Sequence, residues 1–184
     1  MNTKLFMVAL FTLLAFTFSN AQSQELDQKL IEACKIGDVS GVTTRIKEGA
    51  NVNAKDVFGE SALICALRSG NIPSVDFLLT KGADVNAVSI FGYTPLIYSA
   101  SHGYTNIVRV LIENGAQINA TDSYGWTPLM SAVYGSHMEI VQTLIKKGAN
   151  VNAKNNLDKS IIDVAKYKGQ PEIIQVLKEA GAQD

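Results

Sequence analysis

The sequence predicts an all-α solenoid of stacked helix-turn-helix units, and three observations carry that prediction. The first is a repeat step of thirty-three residues: Gly59, Gly92 and Gly125 fall on it, with Asp158 in the fourth place. The pairs Gly49-Ala50, Gly82-Ala83, Gly115-Ala116, Gly148-Ala149 and Gly181-Ala182 keep the same step, as do Asn53, Asn86, Asn119 and Asn152. Self-similarity at such a period marks units that bury their apolar faces against neighbours rather than around one closed core. The second is a helix start signal, Thr94-Pro95 and Thr127-Pro128, where a capping hydroxyl precedes a proline at the first helical position. The third is the 0, 1, 4, 5 spacing of one apolar helix face in Ile107-Val108-Leu111-Ile112 and again in Ile140-Val141-Leu144-Ile145.

The stretch S-IFGYTPLIYSASHGYTNIVRVLIENGAQINATD, Ser89 to Asp122, shows the unit most fully. Its G-x-T-P-L followed by small residues, then G-x-x-x-I-V-x-x-L-I-x-x-G-A-x-x-N-A, resembles the ankyrin repeat. The resemblance covers about 26 to 184. It implies a β-turn finger and two antiparallel helices per repeat, five repeats including two caps, and partner binding rather than chemistry.

In order, residues 1–21 are a different kind of sequence and read as a secretory signal peptide cleaved after Ala21, leaving 22–184 as the repeat domain. One lysine, Lys4, precedes an apolar run from Leu5 to Phe18, and Ser19-Asn20-Ala21 supplies small residues three and one places before the cut. The run is shorter than the roughly twenty residues a bilayer core requires, which argues against an uncleaved anchor. Export to the periplasm or outside the cell, with no membrane attachment after cleavage, is the expectation.

The repeats are expected at about 26–55, 56–88, 89–121, 122–154 and 155–184. The first lacks the turn glycine and the Thr-Pro step. Lys29, Glu32 and Lys35 on its first helix, opposite Leu30, Ile31, Ala33 and Cys34, fit a cap with one wet side. About four residues before Leu26 are expected to be loose. In the second, Ser61 caps the apolar run Ala62–Leu67, and Pro73 falls in the first turn of the second helix. The third and fourth carry the full pattern, with Gly115 and Gly148 closing their second helices in the left-handed conformation. In the fifth, Asp158 replaces the turn glycine and Ser160-Ile161 the Thr-Pro. Lys166 stands where Cys34, Leu67, Ala100 and Val133 stand earlier, and a charge there ends the stack.

The formal net charge is -1, and removing the leader leaves fifteen basic and seventeen acidic residues, net -2. Such a balance offers no field for nucleic acid. Cys34 and Cys65 are the only cysteines and fall on the first helices of neighbouring repeats. Two buried thiols are expected, a disulfide requiring a closer approach than neighbouring helix axes usually make. Neither has a partner at metal-ligand spacing, and no cofactor is expected.

In ankyrin arrays the residues flanking the turn glycine and those ending the first helix face a concave groove. Carried over, that places Phe58, Phe91, Tyr93, Tyr124, Trp126 and Tyr134 on one side of three consecutive repeats, with Arg68 and His102 beside them. Tyrosine and tryptophan are enriched among residues that carry binding energy. These eight are the expected partner-binding residues. Phe58, Phe91 and Tyr124 have a second possible role, packing finger against finger. Tyr93, Trp126 and Tyr134 are expected to be exposed contacts, because their equivalents include Glu60, Lys159 and Arg68.

Chemistry finds little footing. The histidines are His102, expected as a contact, and His137, which follows Ser136 at the start of a second helix and is expected to be structural. No G-x-S-x-G, H-E-x-x-H or glycine-rich phosphate loop occurs. Asn119-Ala120-Thr121 matches a glycosylation acceptor, but Asn53, Asn86 and Asn152 recur in phase without one, so the asparagine is expected to serve its loop. The sequence thus points to a monomeric, non-catalytic protein that binds another protein, as inhibitor, immunity or stabilising factor. The alternative is a scaffold with several weak partners.

Overall fold

Helix starts dictated by local chemistry set the architecture. The computed structural model describes residues 3–183. Ten helices lie among them: α1 Thr3–Ile36, α2 Val39–Lys47, α3 Ala62–Arg68, α4 Ile72–Thr80, α5 Pro95–His102, α6 Thr105–Glu113, α7 Pro128–Tyr134, α8 Met138–Lys146, α9 Ile161–Tyr167 and α10 Pro171–Glu179. The side chains of Ser61, Thr94, Thr127 and Ser160 each accept the amide three residues on, as N-caps. At Ser160 the backbone amide in turn donates to the Asp163 carboxylate, a full capping box at a first helix that does not open on proline.

The helices form two rows. The C-terminal part of α1 packs on α3, α3 on α5, α5 on α7 and α7 on α9. Behind them α2 meets α4, α6 meets α8, and α8 meets α10. Ala62 to Leu67 are all buried, as are Leu129, Met130, Ala132 and Val133 of α7, because a front-row helix has neighbours on both sides. Lys166 on α9 is exposed, and among the described residues no helix packs on that side of it. The fold is an all-α repeat solenoid.

Between repeats the chain makes the expected finger, and its hydrogen bonds account for its shape. In the third and fourth repeats Ser89 N donates to Tyr93 O and Asp122 N to Trp126 O, both at 3.1 Å. Each finger also joins the next: Ile90 N to Phe58 O, Ser123 N to Phe91 O and Asn156 N to Tyr124 O, all 3.0 Å. At the opposite ends of the repeats the in-phase asparagines form a second ladder. Oδ1 of Asn53, Asn86, Asn119 and Asn152 accepts the amides of Asp84, Gln117, Asn150 and Gln183, each at 2.8 Å. The loop role expected of Asn119 is this bond. Asp158 adopts φ 56 in the turn-glycine place, a left-handed backbone that aspartate tolerates better than most residues.

One expectation is corrected. The residues before Leu26 are not loose: α1 runs unbroken from Thr3, through the cut expected after Ala21, to Ile36. The reason is compositional, since no glycine or proline occurs before Gly37. Met1, Asn2 and the side chains of residues 3–16, which belong to the expected leader, lie outside the described residues. Among the described residues no helix is long and apolar enough to cross a membrane.

Candidate functional site

The finger begins on a side-chain acceptor that the repeat step carries as Asp56, Ser89, Asp122 and Asn155. Asp56 Oδ1 accepts Phe58 N at 2.8 Å and Glu60 N at 3.0 Å, and Asp122 Oδ1 accepts Tyr124 N at 2.9 Å and Trp126 N at 2.8 Å. This pair of hydrogen bonds turns the chain back, so the residue after the turn glycine comes under the finger and onto the end of a front-row helix. A cavity of about 590 Å³ opens there.

Six of the eight expected contact residues line it: Arg68, Tyr93, His102, Tyr124, Trp126 and Tyr134. Tyr98, Glu60 and Asp122 join them, none of which is among the eight expected contacts. Phe58 lies on a neighbouring hollow with Lys35, Asp56 and Cys65. Phe91 stands half exposed on its finger tip. Trp126 and Tyr134 also line a second hollow of about 460 Å³ toward the last repeat, with Leu157 and Tyr167. Those two are 78% and 82% exposed, which extends the apolar strip beyond the residues expected.

Exposure meets the expectation at Tyr134 and departs from it at Tyr93 and Trp126. Phe58, Phe91 and Tyr124 do not pack finger on finger: they are about half exposed, and the fingers join through their carbonyls instead. Tyr93 and Trp126 are only partly exposed, and Trp126 packs against the core. Glu60, at the equivalent place in the second repeat, is buried and held by Arg68 at 2.7 Å. The place after the turn glycine is therefore a half-covered one. Of the three aromatics expected to be exposed, Tyr134 alone is, at 49%.

The rings are ordered by one another. Trp126 and Tyr134 meet edge to face, centroids 5.5 Å apart at 90°. Lys168 Nζ lies 4.5 Å from the Tyr134 centroid. Tyr98 stacks on His102 at 4.1 Å, and His102 Nδ1 donates to the Tyr98 carbonyl at 2.9 Å. Burial, then the Asp122 carboxylate, pushes the Tyr93 hydroxyl pKa above its usual value. His137 is half-buried, its Nε2 donating to the Ser101 carbonyl at 3.1 Å, which is the structural role expected of it.

The second repeat gathers Asp56, Glu60 and Cys65 so that their ligand atoms lie within 4.8 Å of one another. Their charges are already matched: Lys35 is 2.8 Å from Asp56, and Arg68 holds Glu60. Cys34 and Cys65 are free and buried. Burial pushes both thiols up to about 12, with Cys65 adding to the effect at Cys34 and Asp56 and Glu60 at Cys65. Thiolate is the reactive form, so the folded protein is expected to resist iodoacetamide at about pH 8 and to release two reactive thiols only in denaturant. A thiol count under both conditions checks this.

Asp56 also predicts acid sensitivity. Burial alone would raise its carboxyl, but Lys35 and the amides of Glu60 and Phe58 outweigh burial and hold it below the usual aspartate range. A carboxyl depressed in the folded state stabilises above its unfolded pKa, about 3.9, and loses that contribution as pH falls through the folded value. The urea midpoint is expected to fall as pH drops from about 5 to about 2.5, and to fall less steeply in Asp56→Asn.

A family model for ankyrin repeats in three copies matches residues 30–122, and one for ankyrin repeats in many copies matches 102–145 and 130–177. No curated protein matches the chain.

Proposed function

Since the chain belongs to the ankyrin-repeat family, whose repeats indicate a protein-protein interaction module, we propose that it binds one protein partner through the aromatic groove between its fingers and front-row helices. The observation that carries this reading is the cavity of about 590 Å³ walled by Tyr93, Tyr124, Trp126 and Tyr134. Contiguous exposed aromatic surface of this kind marks interfaces. With the adjoining hollow, the strip spans enough repeats to supply the roughly 800 Å² per partner of a standard interface.

The function is non-catalytic in this reading, as is general for the family. The leader-like first twenty-one residues favour export to the periplasm or outside the cell. There the protein acts as a monomeric inhibitor, immunity or stabilising factor for another exported protein.

The test is affinity capture from the native exported fraction, run beside a Tyr124→Ala, Tyr134→Ala double variant. These two are the exposed tyrosines of the cavity, so their loss leaves the core intact. A single strong partner lost from the variant, with thermal stability unchanged, supports the reading. The same proteins recovered by both forms would favour a scaffold with several weak partners and contradict it.

A further inference from the structure

Finger acceptors at Ser89 and Asn155 hold their two amides with neutral side chains, whereas Asp56 and Asp122 bring a charge and a second oxygen besides. At Asp56 that second oxygen is matched by Lys35 at 2.8 Å, the aspartate side chain being only 4% exposed. Stepping Lys35 through the repeats gives Arg68, Ser101 and Tyr134, so the residue placed to neutralise Asp122 is Ser101. A serine cannot do it.

Asp122 is 8% exposed and lines the cavity. Its Oδ1 is occupied by the Tyr124 and Trp126 amides, and its Oδ2 has no hydrogen-bond or ion-pair partner among the described residues. The nearby cations are committed elsewhere, Arg68 to Glu60 at 2.7 Å and Lys168 to the Tyr134 ring. His102 gives its Nδ1 proton to the Tyr98 carbonyl. The cavity therefore holds one carboxylate more than it holds cations. The Oδ2 of Asp122 therefore faces the solvent of the cavity, and no cation of its own chain pairs with it among the described residues.

Resting on the groove reading above, we propose that the cavity is an arginine pocket: a guanidinium of the partner protein lies against the Trp126 ring, which Tyr134 holds in place, and pairs with the Asp122 carboxylate. Arginine fits better than lysine. Its planar, weakly hydrated head stacks on aromatic faces and offers a fork of donors to a carboxylate, where an ammonium offers a strongly hydrated point charge.

A phage-displayed library of random dodecapeptides selected on the purified protein tests this. Selected peptides should share one arginine at a fixed place, and replacing it by citrulline, its uncharged isostere, should weaken binding by about tenfold or more. In Asp122→Asn, which keeps the Oδ1 acceptor as Asn155 does, arginine and citrulline peptides should bind alike. Peptides that lose binding in Tyr134→Ala yet carry no fixed arginine, or a fixed lysine instead, overturn the arginine pocket and leave the groove reading standing. Binders indifferent to Tyr134→Ala, or no binders, overturn both.

Discussion

Leu129→Ala is expected to lower the unfolding free energy by about 3 to 4 kcal/mol, within the range for a large aliphatic side chain removed from a closed core. Leu129 is fully buried on α7, which packs between α5 on one side and α9 on the other. The lost methyl groups leave a cavity that neither neighbour can close, because each is itself locked by its own cap. In a solenoid the neighbour interfaces add much of the stability, so damage at an internal repeat such as the fourth touches two of them at once. Urea unfolding checks it: the midpoint should fall with the slope unchanged, and a loss under about 1 kcal/mol would mean that the front row is not close-packed.

Gly92→Ala comes next, and its comparison with Gly115→Ala separates two effects. Both glycines have positive φ, 77 for Gly92 and 85 for Gly115. A Cβ on Gly115 would meet nothing within 4 Å, so the cost there is backbone strain alone, about 1 kcal/mol. A Cβ on Gly92 would sit 2.6 Å from Ser123 N and 2.8 Å from Asp122 C, both backbone atoms of the next finger. Neither can swing aside without breaking the Ser123 to Phe91 bond that joins the fingers. The expected loss is about 2 to 4 kcal/mol, at least twice that of Gly115→Ala, by thermal or urea unfolding. Because Asp122 would shift too, Gly92→Ala should also weaken partner binding, which Gly115→Ala should not.

What was legible in the sequence was whatever one repeat states by itself. Thr94, Thr127 and Ser61 cap helices through bonds three residues long, and the loop asparagines recur because each repeat needs the same bond. What was not legible depends on how the finger folds over the helix end. Trp126 and Tyr93 looked exposed because their equivalents Glu60 and Lys159 are charged, yet Glu60 is itself buried against Arg68. Being half-buried, Trp126 contributes to stability as well as to the groove, so Tyr134 and Tyr124 are the cleaner probes of binding.

At Asp122 the repeat step carries a signal in the sequence itself. Asp, Ser, Asp and Asn in phase at the finger start are all short side chains that accept from the backbone two residues on, which marks the position as an acceptor of the turn. Seeing that Asp56 has Lys35 and Asp122 does not required the pairing distance as well. The continuity of α1, by contrast, was readable from the absence of glycine and proline before Gly37.

The most direct test of the account places a photo-crosslinking phenylalanine analogue at Tyr134, on the groove, and separately at Gln142, exposed on α8 in the back row. Each form is irradiated in the native exported fraction. Binding through the groove gives a single dominant adduct from position 134 and none from 142. Adducts from 142 at equal or greater yield, or none from 134, would contradict binding through the groove.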